Sequence, residues 1–202
     1  QAPVVEFAKD LDKLSFVILT HQHADHLDLD LIRELSHLPL IWVIPDFVLQ
    51  LMKNKTDIFL NQVVIPKPLQ SIDVHGIRIT PFDGLHWEKQ SDGEPRGVPA
   101  MAYLIEFNNK RWLFPGDTRT YDAGQLPSFG PVNGIFAHLW LGHGCALQDD
   151  PPLVDAFCRF CHDLKPQKIV LTHLKEFGRD SDDYWDEEHA KQICSKIQGF
   201  PE

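Results

Sequence analysis

The sequence predicts an α/β fold of stacked layers, and two observations predict it. Short β-branched apolar runs outnumber the segments of helical period, and the two kinds alternate along the chain. No internal repeat, low-complexity tract or linker breaks the pattern, so residues 1–202 are expected to form a single domain. Phe16 to Leu19 is too short for a helix and suits a buried strand. A His-rich turn follows, then a helix from about Asp28 to His37, with Leu29, Ile32 and Leu35 at near-helical spacing. Leu40 to Ile44 reads as a second buried strand, and Pro45 opens a helix through Lys53.

Three strands come next, at Gln62 to Ile65, Leu69 to Val74 and Gly76 to Pro81. Glu88 to Pro99 is polar and rich in Gly and Pro, which predicts a loop long enough to carry a function. Met101 to Phe107 and Arg111 to Phe114 flank Asn108-Asn109, a hairpin signal. Gly134 to Leu141 is a strand, Leu153 to Leu164 a helix, Lys168 to Thr172 a strand, and Tyr184 to Gln198 a closing helix.

Composition narrows the function classes. Hydrophobic residues make up 43% and charged residues 24%, values of an ordinary globular chain. The formal net charge of −10 argues against a nucleic-acid binder, whose affinity comes from Lys and Arg neutralising phosphates. No apolar run is long enough for a transmembrane segment; the nearest, Leu38 to Val48, is broken by Pro39, Pro45 and Asp46. The chain opens at Gln1 with no initiator Met and no leader pattern, so the expected compartment is the cytoplasm, a lost leader aside. The cysteines, Cys145, Cys158, Cys161 and Cys194, are expected to be reduced thiols. Cys158-Arg159-Phe160-Cys161-His162 has the spacing of a c-type haem attachment site, but its place inside an amphipathic helix favours a packing role.

The chemistry is concentrated in Thr20-His21-Gln22-His23-Ala24-Asp25-His26, directly after the first strand. Crevices outside the C-terminal ends of strands are where α/β sheets build sites. On an extended backbone His21 and His23 point to one side, while Asp25 and His26 fall on the turn into the helix. Such a cluster suits a pair of divalent ions held by nitrogen and oxygen. Other strands end the same way: His86 after Thr80 to Asp83, Asp117 in Pro115-Gly116-Asp117-Thr118, and His173 after Lys168 to Thr172.

With these motifs the chain resembles the metallo-β-lactamase-fold hydrolase superfamily over about Leu14 to Lys175. The resemblance implies a four-layered αββα sandwich. Only 20 residues precede His21, so some N-terminal strands of that sandwich are expected to be missing. It also implies two divalent metal ions, with zinc in first place and manganese or iron as alternatives. One ion would be held by His21, His23 and His86, the other by Asp25, His26 and His173, with Asp117 bridging.

Leu85-His86-Trp87, the polar loop with Arg96-Gly97, and Lys110 through Asp117 look like the ascorbate-6-phosphate lactonase-like branch. That branch also resembles the N-acyl-phosphatidylethanolamine-hydrolysing phospholipase D. The implied function is a binuclear metal-dependent hydrolase whose metal-bridging hydroxide attacks a small phosphorylated or lactone substrate. Catalytic roles fall to Asp25 and Asp117, and to His143 as a proton donor to the leaving group; Arg96 and His143 are candidate substrate contacts. Thr20 and Thr172, each preceding a His, are expected to orient imidazoles. His138 reads as a satisfied core or surface histidine within its strand, and His37, His75, His162 and His189 as surface residues.

The alternative enzyme is a phosphodiesterase acting on a nucleotide, a lipid or an RNA 3′ end. The alternative outside enzymes is a metal-binding scaffold. A homo-oligomer is open to the chain if an exposed sheet edge needs a partner.

Overall fold

The structure is a computed structural model that describes residues 11, 13–55, 60–89, 95–139, 153–175 and 180–199. It divides into two compact units, residues 1–66 and 67–202.

The first unit is a parallel sheet, β1 (Phe16–Ile18), β2 (Ile41–Val43) and β3 (Gln62–Val64), in that spatial order. Helices α1 (Leu29–Leu35) and α2 (Asp46–Lys55) connect the strands. Leu19 N–H donates to Val43 and Ile44 N–H to Val64, carrying the pairing just past the strands. Trp42, Ile44 and Val48 are fully buried, and Ile32 and Leu35 bring the apolar face of α1 to the same cluster. α1 starts where Asp28 accepts the N–H groups of Asp30 and Leu31, an N-cap that satisfies two otherwise orphaned donors. It stops at Leu35, two residues short of the expected His37, because Pro39 disfavours helical backbone just before it.

The second unit holds a six-stranded sheet in the order β11-β10-β9-β8-β5-β4. Its strands are β4 (Ile72–Val74), β5 (Ile77–Asp83), β8 (Met101–Phe107), β9 (Lys110–Phe114), β10 (Gly134–His138) and β11 (Lys168–Thr172). β8 and β9 form the expected hairpin, and Asn108 and Asn109 take φ of 48° and 58°, the left-handed pair that a two-residue turn demands. β10 pairs in parallel with both β9 and β11, and β5 runs antiparallel to β8 as β9 does. Hence β5, β9, β10 and β11 all end at one edge of this sheet.

Helices α3 (Leu153–Asp163) and α4 (Glu187–Gln198) contribute Phe157, Phe160, Ile193 and Ile197 to a core shared with Phe82, Leu104, Leu113 and Ile135. Cys158 and Cys161 lie in that core, so the helix-packing reading of their spacing holds. Burial pushes the Cys158 thiol up to about 12 and raises Cys161 likewise. Cys194 is exposed.

The sequence reading differs from the structure at several places in this unit; β4 starts at Ile72 instead of Leu69, and β5 runs on to Asp83, past Pro81. Within the expected loop of 88–99 lies a short antiparallel pair, β6 (Trp87–Lys89) and β7 (Pro95–Gly97). Its polar composition hides the strands, and Pro95 fits only because it begins one. β10 ends at His138, short of Leu141. α4 begins at Glu187 instead of Tyr184, because Asp186 accepts His189 N–H while His189 Nδ1 accepts Asp186 N–H, a reciprocal cap. The His189 N–H holds the Asp186 carboxyl below its ordinary value. His189 is thereby a capping residue as well as a surface one.

Candidate functional site

In the first unit the candidate residues sit on the turn between β1 and α1. The N–H groups of His26 and Leu27 both donate to the His23 carbonyl, which closes the turn and folds the side chains back on one another. His21 is fully buried; Thr20 Oγ1 lies 3.0 Å from its Nδ1, as expected of an orienting hydroxyl. That leaves His21 Nε2 3.2 Å from His23 Nδ1. Two imidazole nitrogens on one tetrahedral zinc ion stand about 3.3 Å apart, from Zn–N bonds of about 2.05 Å. His26 stacks at a tilt on His21, ring centroids 4.3 Å apart, and its Nε2 lies 3.5 Å from Asp25 Oδ2. Asp25 is exposed.

In the second unit the candidates come from separate strand ends at the common edge. His86 follows β5, Asp117 follows β9 and His173 follows β11; His86 and Asp117 are buried. A carboxylate oxygen of Asp117 lies within 4.8 Å of a ring nitrogen of His86, and its Oδ2 is 3.9 Å from His173 Nε2. Gly116, at φ 68°, supplies the left-handed step that turns the chain from β9 into Asp117. His173 itself takes φ 64°, a conformation disfavoured for a side chain with a Cβ and characteristic of constrained sites. Arg119 N–H donates to the Leu85 carbonyl and Thr120 Oγ1 to that of Trp87, tying the Asp117 loop to the backbone on both sides of His86.

The sequence missed two residues here. Gly97 lies opposite Trp87 in the β6–β7 pair, at φ 152°, where a Cβ would stand 2.1 Å from the His86 carbonyl oxygen. The second is His138, which the sequence left open as a core or a surface histidine; it is buried and lies beside Asp117. Its Nδ1 is 3.0 Å from Thr118 N, its Nε2 3.5 Å from Asp117 Oδ1, and its ring meets that of His173 edge-on at 4.2 Å. The available signal was its register: it pairs with Thr172, the residue before His173.

One expectation fails outright. Thr172 Oγ1 donates to the Ala137 carbonyl and so secures strand pairing instead of orienting an imidazole. His143 lies outside the described residues. Arg96 has its backbone in β7, opposite Glu88, and its side chain lies outside what is described. An open cleft adjoins His173, lined also by Lys175, Tyr184, Trp185 and His189.

The donor chemistry fits a divalent metal: imidazole nitrogens at ligand-to-ligand spacing on the turn, and a buried carboxylate facing imidazoles at the strand ends. The sequence profile of the Beta-lactamase superfamily domain matches residues 1–174.

The chain belongs to this superfamily, and its fold is the metallo-β-lactamase fold.

Among solved structures, the metallo-β-lactamase fold protein YhfI from Bacillus subtilis matches 95% of this chain and 73% of its own, at 16% identity and TM-score 0.67. A protein from Veillonella parvula, named for metal-dependent hydrolysis, matches 94% and 71%, at 21% identity and TM-score 0.63. Zinc-bound PqqB from Methylobacterium extorquens matches 90% and 69%, at 12% identity and TM-score 0.59. At these identities the likeness is one of fold. No curated protein matches the sequence. Among the described residues, no helix is long and apolar enough to cross a membrane.

Proposed function

We propose that the chain is a binuclear metal-dependent hydrolase acting on a small phosphorylated or lactone substrate, as the lactonase-like motifs around His86 and Asp117 suggest. In this reading His21, His23 and His86 hold one ion, Asp25, His26 and His173 hold the other, and Asp117 is shared. Zinc is the first choice, in keeping with an imidazole-rich donor set and with the zinc-bound PqqB relative. The observation that carries the proposal is Asp117, a buried carboxylate with an imidazole nitrogen 3.9 Å from its Oδ2, in a chain that retains every His and Asp of the superfamily pattern. A carboxylate buried to 6% exposure is costly to keep charged without a partner, and bound cations would supply one.

Divalent ions held by these residues would lower the pKa of a bound water toward about 7 and so would supply a nucleophile at neutral pH without a nucleophilic side chain. The protein's own groups do the positioning. Asp25, exposed beside His26, accepts a hydrogen bond from the attacking water. The cleft beside His173, with Lys175 and Tyr184 on its wall, receives the substrate. His143 donates a proton to the leaving group and Arg96 binds a substrate phosphate through its guanidinium fork.

The test is hydrolysis of a simple lactone and of bis(p-nitrophenyl) phosphate by metal-reconstituted protein. The expected outcome is metal-dependent lactone turnover that Asp117→Ala lacks together with its metal. Turnover confined to the phosphodiester would favour a phosphodiesterase. Full activity in Asp117→Ala would sink the assignment.

A further inference from the structure

His138 is a buried histidine that the proposed ligand set does not use. It sits at the end of β10, between the strands that deliver Asp117 and His173. Its backbone is anchored there, because its carbonyl accepts the Tyr121 hydroxyl at 2.8 Å.

The tautomer of its ring follows from one contact. The Thr118 backbone N–H donates to His138 Nδ1 at 3.0 Å. A backbone amide can only donate, so Nδ1 carries the lone pair and the ring is neutral, with its hydrogen on Nε2. Nε2 lies 3.5 Å from Asp117 Oδ1, longer than a formed hydrogen bond, while Asp117 Oδ2 lies 3.9 Å from His173 Nε2. We propose that His138 is a positioning residue for Asp117: it presents a neutral Nε2–H donor to one carboxylate oxygen and fixes the plane in which the carboxylate meets its cations. This rests on the reading of Asp117 as a shared metal ligand. The same tautomer removes His138 from the ligand set, because its Nε2 has no lone pair to give.

The geometry makes the device local. Thr118 follows Asp117 in the chain, so the loop that carries the carboxylate also sets the ring that orients it. Hydrogen bonds that hold a ligand in place are typically worth about 10–100-fold in metal affinity.

The test pairs two measurements. Nitrogen-15 imidazole spectra of the metal-free wild-type protein are expected to show His138 protonated on Nε2 alone, and Asp117→Asn is expected to shift that resonance. Chelator competition then gives zinc affinity. His138→Phe keeps the ring shape without the donor and is expected to weaken zinc binding about 10–100-fold. His138→Gln restores an N–H donor and is expected to recover most of that loss. An Nε2 without its proton overturns the proposal, and this reading needs no variant to fold. His138→Phe binding zinc as tightly as wild type also overturns it, with Asp117 untouched as a ligand. Wild-type protein that takes up no zinc overturns the ligand reading of Asp117 itself, and the role of His138 falls with it.

Discussion

The turn of the first unit and the strand ends of the second bring their donors together in opposite ways. His21, His23, Asp25 and His26 lie within one turn, and the capped start of α1 gathers them locally. His86, Asp117, His138 and His173 lie far apart in sequence and meet only because strands of one direction end at one edge. The turn leaves Asp25 exposed, whereas the strand ends bury His86, Asp117 and His138. A local motif can be written into any loop and stays adjustable; a set assembled by a sheet is held by the whole core beneath it.

The widest gap is expected in metal stoichiometry. Asp117→Ala should drop uptake from about two ions to none, because both would share that carboxylate. Asp25→Ala, on the exposed turn, should leave about one. Elemental analysis of gel-filtered protein reads the difference, and equal losses at the two positions would break the contrast.

Next comes the dependence on the core. Phe157→Ala removes a fully buried ring that meets Tyr121 edge-on, and Tyr121 in turn anchors His138. It should cost about 3–5 kcal/mol in chemical denaturation, with weaker metal binding at the strand ends. Gly97→Ala is smaller in volume but drives a methyl at the His86 carbonyl from 2.1 Å, so the backbone must move. A loss of about 1–3 kcal/mol is expected, accompanied by reduced metal affinity that a remote surface change of equal cost would not produce. The smallest effect belongs to the turn: Asp28→Ala strips the α1 cap and should cost about 1 kcal/mol in thermal unfolding. If it cost as much as Phe157→Ala, the turn would be no more independent of the core than the strand ends are.

This contrast also sets how much could be read before the structure. Local information sufficed for β8 and β9 about Asn108-Asn109, for β11, and for the His21 to His26 turn, since spacing alone puts those residues in register. His86, Asp117 and His173 were legible locally as strand-end residues, but that they belong together followed only from the superfamily resemblance, because no local rule says which strands are neighbours. His138 sat in plain view within an apolar run, and its proximity to Asp117 follows from β9-β10-β11 order, which one strand's sequence does not encode. The β6–β7 pair escaped because two three-residue strands carry too little periodicity to separate them from a polar loop.

The left-handed backbone at His173 has a consequence for anyone improving this protein. Glycine adopts that φ without the penalty an imidazole-bearing residue incurs, on the order of 1 kcal/mol. His173→Gly should therefore retain more stability than His173→Ala while removing the same side chain. A screen that rewards heat resistance alone would drift toward glycine there and discard the imidazole, so any such screen should also score bound metal.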